Sequence, residues 1–327
     1  MGIKKHNAAI KYIGVFLLTA SVLLTNFYAV RAEDTGTVGT SAQAAAVIEQ
    51  NSGRVLYNKN ADQELPMAST TKIMTAAVAL KYGNLSDVIE VSATAAGVEG
   101  SSMYLECGEK ITLENLLYGL MLLSGNDAAV AIAEHIGGGV DGFVELMNKT
   151  ASELGLSHTH FDNPNGLPSD THYTTALELA KITRYAMSMP EFVQIVSTKS
   201  KTIPWEGKGY DRSMTNHNKL LGSLEGCIGV KTGFTKAAGR CLVSAVNRND
   251  MTLICVTLND PNDWADHASL QNSMFQKYSQ NVLTSTEMII DKISVAGGML
   301  GYAGVSPNKT YLSLIHISEP TRRSYIS

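Results

Sequence analysis

Ser69 and Lys72 lie three residues apart in the stretch "MASTTKIMTA", at the start of a run of good helix formers. Side chains at positions i and i+3 share one face of a helix, so the hydroxyl and the amine would project in the same direction. A serine hydroxyl becomes an effective nucleophile when a neighbouring base accepts its proton. The pair by itself fits either an activated nucleophile beside its base or an ordinary helix start with a surface lysine. The same spacing recurs at Ser306 and Lys309, where Pro307 is incompatible with a helix.

Two further motifs occur in matching contexts. Ser124 and Asn126 belong to a Ser-Gly-Asn triplet at a predicted break between two apolar helices, and Lys231 opens a Lys-Thr-Gly triplet on a predicted apolar strand. Ser-x-Asn recurs elsewhere in the chain, whereas Lys-Thr-Gly occurs once. The order and the contexts of the three motifs predict that they converge in one cleft.

The motif-bearing stretches resemble those of one enzyme family. They are "PMASTTKIMTA", "LLYGLMLLSGNDAAVAIAEHIGG", "FDNPNGLP" and "GVKTGFTKAAGRCLVSA". From about Ala44 to Tyr311 the chain resembles the low-molecular-mass penicillin-binding proteins, which are serine D-alanyl-D-alanine carboxypeptidases, and most closely the sporulation-associated Gram-positive type. The resemblance implies an exported hydrolase that removes the terminal D-Ala from peptidoglycan pentapeptide stems ending in D-Ala-D-Ala and that β-lactam antibiotics inhibit covalently.

The resemblance also implies a catalytic role for five residues. Ser69 would be the nucleophile and Lys72 the general base, provided that its amine is neutral. Burial and the charge of Lys231 would both lower the pKa of Lys72. Ser124 would relay a proton to the departing amine, and Asn126 would hold the substrate amide and the Lys72 side chain.

Substrate binding is implied for the Lys-Thr-Gly strand. Thr232 and Thr235 would receive the substrate carboxylate together with Lys231, and Gly233 would let the substrate backbone approach closely. The backbone N–H of Phe234 would complete an oxyanion hole with that of Ser69. Many relatives add an arginine after the following strand, but the corresponding stretch "LNDPNDWADHA" contains none. No metal or other cofactor is implied.

Two alternative functions fit the same motifs. A serine β-lactamase needs a base for fast deacylation, for which Glu178 is the candidate, and a non-catalytic penicillin-sensing or wall-binding module would keep only the fold. In the turn-rich stretch "HTHFDNPNGLPSDTHY" the resemblance places Asn165 and Gly166 at the border of the cleft. Three histidines of this stretch could suggest a Ser-His pair, but they are expected to be structural, because lone histidines in such loops are more often solvated; they are His158, His160 and His172.

The order of predicted elements indicates an α/β (α+β) fold. Apolar runs around Asn-Ser-Gly predict a hairpin, helical periodicity follows from Ser69 to Gly83, and Thr112 is predicted to cap an apolar helix. Helices are predicted over 142–154 and 175–189, then three antiparallel strands and a helix from "DWADHASLQ". This pattern predicts an antiparallel sheet with packed helices and an inserted helical lobe. The family resemblance implies that this fold is β-lactamase/transpeptidase-like.

Four segments divide the chain. Residues 1–32 have the basic, apolar and small-residue regions of a signal peptide, and 33–281 form the predicted serine DD-peptidase domain. Residues 282–311 are predicted to begin a truncated C-terminal β-rich domain, and 312–327 resemble the translation of a sequencing adapter. The family usually ends in an amphipathic helix on the membrane surface, which would follow the truncation.

Composition excludes several other classes of function. Removing residues 1–32 takes away four basic residues and no acidic ones, so the formal net charge falls from −4 to −8. Nucleic-acid binding is therefore not expected, because it requires a basic surface. No Cys/His cluster has the spacing of a zinc site. The four cysteines stand mostly in apolar, strand-like contexts and are predicted to be unpaired.

Overall fold

The structure is a computed structural model that describes residues 38–205, 207–284, 291–294, 302–305 and 311–316. The predicted signal peptide, residues 1–32, lies outside the described residues, as do residues 317–327. Within the described part, no helix combines the length and the hydrophobicity that crossing a bilayer requires.

The described strands and helices follow the order that the sequence patterns predict: strands first, then a block of helices, then strands again. The strands are β1 (Ala44–Glu49), β2 (Val55–Lys59), β3 (Val88–Glu90), β4 (Lys110–Thr112), β5 (Ser200–Ile203), β6 (Arg212–Thr215), β7 (Cys227–Thr235), β8 (Gly239–Arg248), β9 (Met251–Leu258), β10 (Tyr278–Thr284), β11 (Asp291–Ser294), β12 (Tyr302–Val305) and β13 (Tyr311–His316). The helices are α1 (Lys72–Tyr82), α2 (Ala93–Ala96), α3 (Leu113–Leu122), α4 (Asn126–Gly137), α5 (Val140–Glu153), α6 (Ala176–Ala186), α7 (Pro190–Ser197), α8 (Leu220–Ser223) and α9 (Asp263–Lys277), with a 3-10 turn at Ala68–Thr71 before α1.

A five-stranded antiparallel sheet in the order β2-β1-β9-β8-β7 forms the centre of the domain. All six residues of β1 and seven of the eight residues of β9 are buried, since helices cover both faces of these strands. On one face Leu270 and Met274 of α9 pack against Leu253 and Cys255. On the other face Ile254 belongs to the main core, which includes α1 and α6.

Helix α1 runs through the interior of the helical block. Its first eight residues, Lys72 to Ala79, are all buried, so the helix has hardly any solvent-facing side. Helices α3, α4 and α5 surround it and contribute mostly leucine, isoleucine and alanine side chains to the same core. This packing matters for function because a residue at the start of α1 is held rigidly and away from water.

Most predicted elements are present, with differences at their ends. The predicted hairpin, the helix break at Ser124 and the Thr112 cap are confirmed, and the Thr112 hydroxyl accepts a hydrogen bond from Asn115 N at 3.3 Å. The predicted helix 175–189 ends at Ala186. A further helix, α7, was not predicted; it begins at Pro190, whose fixed φ suits the first position of a helix.

The last described strands lie in two small sheets. Strand β10 pairs with β13 and β11 pairs with β12, all antiparallel. The predicted domain boundary between residues 281 and 282 falls inside β10, where Val282 pairs with Leu312. Residues 312–316 of the segment that resembles an adapter translation belong to β13.

Candidate active site

Ser69 lies in the 3-10 turn that leads into α1, not in the first turn of the α-helix itself. The turn begins at Ala68, whose φ of 48° is unusual for a residue with a side chain. Two threonine hydroxyls close it: Thr70 Oγ1 donates to the Met67 carbonyl at 2.6 Å, and Thr71 Oγ1 donates to the Ala68 carbonyl at 2.8 Å. The backbone of the turn is therefore fixed around Ser69.

Lys72, the first residue of α1, places its amine beside that serine. The Nζ donates to Ser69 Oγ at 3.0 Å and to Asn126 Oδ1 at 2.8 Å. A third hydrogen bond of 2.5 Å runs to the Asn165 carbonyl. The side chain is fully buried, and burial is the main cause that lowers its pKa well below the ordinary value, followed by the charge of Lys231 and opposed by Asp127. Loss of a proton from this amine is thus made easier, and the neutral amine is a base within hydrogen-bond reach of Ser69.

The Ser-Gly-Asn triplet connects α3 to α4. Ser124 is 5% exposed and has a left-handed φ of 62°, so it turns the chain sharply between the two helices. Asn126 begins α4, and its Nδ2 donates to the Glu99 carbonyl at 2.6 Å. This bond fixes the amide so that its Oδ1 faces Lys72.

Asp127 was not predicted as a site residue, yet its buried carboxylate organises the wall beside Ser124. It accepts hydrogen bonds from Ser102 Oγ at 2.5 Å and from the backbone N–H groups of Met103 and Leu105. An acidic residue in the first turn of a helix was the only sequence signal for it.

Strand β7, the last strand of the five-stranded sheet, carries the Lys-Thr-Gly triplet. Lys231 is 1% exposed, its Nζ donates to the Thr232 carbonyl at 2.9 Å, and burial lowers its pKa to about 7. A Cβ at Gly233 would lie 3.1 Å from the backbone nitrogens of Ser69 and Thr70. Gly233 therefore lets β7 lie directly against the nucleophile turn, a packing reason that the sequence pattern did not reveal.

A cleft of about 290 Å³ opens above these groups. Residues from all three motifs and from β8 line it, among them Ser69, Ser124, Thr232, Gly233, Phe234 and Arg240. Phe234 is 66% exposed at the mouth. Thr235 is not part of this lining; its Oγ1 accepts a hydrogen bond from Ala238 N at 3.0 Å and holds the turn between β7 and β8.

Arg240 was not predicted as a site residue either. It stands opposite Phe234 in the register of β7 and β8, and it lines the cleft with a side chain that is 44% exposed. Its Nη2 is 2.9 Å from the nearly buried carboxylate of Asp263. The stretch "LNDPNDWADHA" contains no arginine, but its Asp263 supplies the carboxylate that orients Arg240.

The loop before α6 supports the nucleophile turn from below. Gly166 has a φ of +87°, and a Cβ there would overlap the Ala68 carbonyl oxygen. His172 is 3% exposed; its Nδ1 accepts from Asp162 N at 3.0 Å, so Nε2 carries the proton and donates to Thr71 Oγ1 at 2.7 Å. Burial lowers the pKa of His172 to about 4, which keeps the ring neutral.

The contacts of His172 are structural, as expected, but its ring is buried rather than solvated. A polar ring buried beside the catalytic turn could not be distinguished by sequence from its two neighbours. His158 and His160 are about half exposed and lie 2.8 Å and 3.2 Å from the carboxylates of Glu64 and Asp162.

Glu178, the candidate base of a β-lactamase, is engaged elsewhere. Its carboxylate accepts hydrogen bonds from Ser157 N, from His158 N and from Thr159 Oγ1 at 2.6 Å. These contacts hold the loop between α5 and α6, and Glu178 is not among the residues that line the cleft. The residue of this loop that faces Lys72 is Asn165, through its carbonyl oxygen.

The four cysteines are free thiols, with Cys107 exposed and Cys241 and Cys255 buried. In the part of the chain that the structure describes, no group of three or more His, Cys, Asp or Glu side chains has the arrangement of a metal site.

The chain is similar in sequence and in structure to known proteins. A family model described as Peptidase_S11, D-alanyl-D-alanine carboxypeptidase, matches residues 30–262. The D-alanyl-D-alanine carboxypeptidase DacF of Bacillus subtilis is 34% identical over 294 residues, covering 88% of this chain and 75% of its own length. A D-alanyl-D-alanine carboxypeptidase of Streptomyces sp. strain K15 is 37% identical over 274 residues, covering 79% and 92%. The crystal structure of the Streptomyces K15 DD-transpeptidase superposes with a TM-score of 0.70 at 35% identity, over 74% of this chain and 99% of that one.

Proposed function

Because the chain belongs to the peptidase S11 family of serine D-alanyl-D-alanine carboxypeptidases, we propose that it removes the terminal D-alanine from peptidoglycan stem peptides through an acyl-enzyme on Ser69. The family predicted from the three motifs is thereby confirmed. One observation carries the assignment of the nucleophile: the buried amine of Lys72, with its lowered pKa, lies 3.0 Å from Ser69 Oγ.

Acylation begins with proton transfer. Neutral Lys72 takes the hydroxyl proton of Ser69 while Ser69 Oγ attacks the carbonyl carbon of the penultimate D-alanine. The oxyanion that forms accepts hydrogen bonds from the N–H groups of Ser69 and Phe234, and such donors contribute about 10²–10³ in rate. The close approach of β7 to Ser69 N at Gly233 supports this arrangement.

Collapse of the tetrahedral intermediate breaks the peptide bond. Ser124 donates its hydroxyl proton to the leaving nitrogen and regains one from protonated Lys72, so D-alanine departs as a neutral amine. Water then attacks the ester while Lys72 accepts its proton. The bond between Ser69 Oγ and the carbonyl carbon breaks, Lys72 returns the proton to Ser69 Oγ, and the shortened stem leaves as a carboxylic acid. Lys231 and Thr232 bind the terminal carboxylate beforehand, with Lys231 contributing its charge while it is protonated.

The site is proposed to work outside the cytoplasmic membrane, in the cell-wall space, since the family acts on the cell wall and residues 1–32 have a signal-peptide pattern. β-Lactam antibiotics are proposed to acylate the same serine, because they present an acyl group to the same nucleophile and lack a leaving amine that can diffuse away. Attachment to the membrane surface remains a prediction.

Peptide hydrolysis tests the proposal directly. The full chain incubated with Nα,Nε-diacetyl-L-Lys-D-Ala-D-Ala should release D-alanine catalytically, and with nitrocefin it should show a burst of about one equivalent followed by slow turnover. Sustained fast nitrocefin hydrolysis would instead support a β-lactamase. Acylation by penicillin without any release of D-alanine would support the non-catalytic sensor.

Arg240 is proposed to bind the terminal carboxylate together with Lys231 and Thr232. The Asp263 carboxylate pairs with Nη2 of the Arg240 guanidinium, and Arg240 also lines the cleft. Arg240→Ala is expected to raise KM for the diacetyl tripeptide about tenfold or more, the value of a charge-assisted hydrogen bond, with a smaller change in kcat.

Arg248 provides the matched control for this prediction. It lies at the other end of β8 and donates to the Glu225 carbonyl at 2.9 Å. Arg248→Ala should leave KM unchanged. Equal values of KM in the two variants would show that Arg240 does not contribute to binding of the carboxylate.

A further inference from the structure

The peptide unit between Ala68 and Ser69 joins the proposed oxyanion hole to the protein interior. Its N–H group belongs to Ser69 and is one of the two proposed oxyanion donors. Its carbonyl group belongs to Ala68 and accepts a buried hydrogen bond from Thr71 Oγ1 at 2.8 Å. In a trans peptide unit the N–H and the C=O bonds point in opposite directions, so a group that fixes the Ala68 carbonyl also fixes the direction of the Ser69 N–H.

The backbone by itself does not hold this peptide unit in place. The φ of Ala68 is 48°, in the left-handed region that residues with a Cβ rarely adopt. The Ser69 N–H is among the first amides of the 3-10 turn, and the first amides of a helix have no acceptor within it. The orientation of the unit therefore depends on the groups that surround it.

Two glycines lie against the unit and limit its movement. A Cβ at Gly233 of β7 would lie 3.1 Å from Ser69 N, and a Cβ at Gly166, in the loop before α6, would lie 3.0 Å from the same atom. The second Cβ would also overlap the Ala68 carbonyl oxygen. This close packing restricts the backbone, but a hydrogen-bond donor is needed to hold the carbonyl.

The Thr71 hydroxyl is that donor, and His172 determines its direction. A threonine hydroxyl has one proton and rotates to suit its partners. His172 Nε2 donates to Thr71 Oγ1 at 2.7 Å, because Nδ1 accepts from Asp162 N at 3.0 Å and carries no proton. The hydroxyl oxygen is thus an acceptor toward His172, and its own proton is directed to the Ala68 carbonyl.

Burial makes this arrangement dependent on His172. Thr71 is fully buried and His172 is 3% exposed, so water has little access to replace either partner. Phe161 packs on the imidazole with ring centroids 5.8 Å apart and nearly perpendicular planes. Burial lowers the pKa of His172 to about 4, so at neutral pH the ring is uncharged and Nδ1 remains an acceptor for Asp162 N.

We propose that His172 is a positioning residue for the oxyanion hole: through Thr71 and the Ala68 carbonyl it aims the Ser69 N–H at the substrate carbonyl oxygen. The inference rests on the proposed function, because it concerns the same acyl-enzyme on Ser69. His172 is not among the residues that line the cleft, so it acts through the turn and not on the substrate. Negative charge on the substrate oxygen is greatest in the transition state, so the effect falls on kcat and on the acylation rate more than on KM.

Two substitutions separate the roles of the two ring nitrogens. His172→Asn keeps an acceptor for Asp162 N but has no donor that reaches Thr71, whereas His172→Gln places an amide N–H near the position of Nε2. His172→Asn is expected to lower kcat for the diacetyl tripeptide and the rate of acylation by benzylpenicillin about tenfold or more, part of the roughly 10²–10³ that one oxyanion donor contributes, and to leave KM within about twofold. His172→Gln should restore most of this loss.

Thr71→Val tests the same hydrogen bond from its other end. It removes the hydroxyl and keeps the shape of the side chain, so it should cause a loss similar to that of His172→Asn. Because both changes act through one hydrogen bond, the double variant should lose little more than either single variant. His158→Asn is the matched control and should keep wild-type kcat and KM, since His158 lies in the same stretch but is about half exposed and pairs with Glu64.

Two readouts distinguish positioning from a general loss of structure, with thermal unfolding as the check on folding. The ester carbonyl of the penicilloyl-enzyme, followed by infrared difference spectroscopy, should absorb at higher wavenumber in His172→Asn and near the wild-type position in His172→Gln, because hydrogen bonds from the oxyanion donors weaken the C=O bond. The rising limb of the acylation rate against pH reports Lys72 and should stay in place while the plateau falls. If His172→Asn does not fold, Thr71→Val provides the same kinetic and infrared test.

Four results would overturn the proposal. They are acylation of His172→Asn at the wild-type rate, slower acylation with an unshifted ester band, equal losses in His172→Asn and His172→Gln, and a displaced pH limb, which would place the effect on Lys72. Failure of the proposed function gives a different pattern, since the wild-type protein would then form no acyl-enzyme and release no D-alanine.

Discussion

Ser69→Ala is expected to abolish the covalent adduct with benzylpenicillin and to lower D-alanine release by at least about 10⁴-fold. The effect is large because the hydroxyl is the atom that forms the acyl bond, and no other step can proceed without it. Intact-protein mass spectrometry after incubation with the antibiotic measures the adduct. The variant should fold normally, since Ser69 is partly exposed and its turn is closed by the hydroxyls of Thr70 and Thr71.

Ser86→Ala is the control for this variant. Ser86 is exposed in the loop between α1 and β3, where its hydroxyl donates to Asn84 Oδ1 at 2.9 Å. The control should acquire the penicillin adduct at the wild-type rate. An adduct of the same mass in Ser69→Ala would identify another nucleophile and contradict the mechanism.

Lys72→Arg is expected to slow acylation by about 10³-fold, within the range for loss of a general base. Arginine keeps the positive charge and a long side chain, but its guanidinium does not lose a proton in proteins. A role as a base therefore predicts a severe loss, whereas a role as a fixed charge predicts a mild one. Stopped-flow measurement of acylation by nitrocefin separates the two, with circular dichroism as the check on folding.

The pH dependence of the wild-type protein gives an independent test of the same base. The acylation rate should rise as the pH increases through the depressed pKa of Lys72, because the reactive form is the neutral amine. Lys231 lowers that pKa by repulsion, so Lys231→Gln should move the rising limb to higher pH, besides weakening binding. A limb that stays at the wild-type position would show that Lys231 does not tune the base.

Local sequence patterns were sufficient for the framework of this fold. The apolar runs that became β7, β8 and β9, the turn between β1 and β2 and the cap of α3 depend on neighbouring residues, and their positions were predicted within a few residues. Helix α7 was missed because it is only eight residues long and follows α6 almost directly. The start of α1 shifted from Ser69 to Lys72 because hydrogen bonds to Ala68 and Met67 tighten that turn.

The residue types of the site were likewise present in the sequence, but their chemical state was not. Two serines, an asparagine and two lysines in three motifs identify the family, since acyl transfer requires a nucleophile, a base and a receptor for the carboxylate. The lowered pKa values of Lys72 and Lys231 arise from burial, which depends on how α1, α4 and β7 pack together. Lys72 meets Asn126 across 54 positions and Asn165 across 93, separations that no local pattern encodes.

The sequence by itself determined which atoms are available to react, because side-chain identity does not depend on folding. Only the tertiary structure decided that Arg240 lines the cleft and that His172 is neutral and supports the nucleophile turn. The physical reason is that desolvation and close approach are properties of the packed chain: a group loses water, and its proton affinity changes, only where distant segments enclose it.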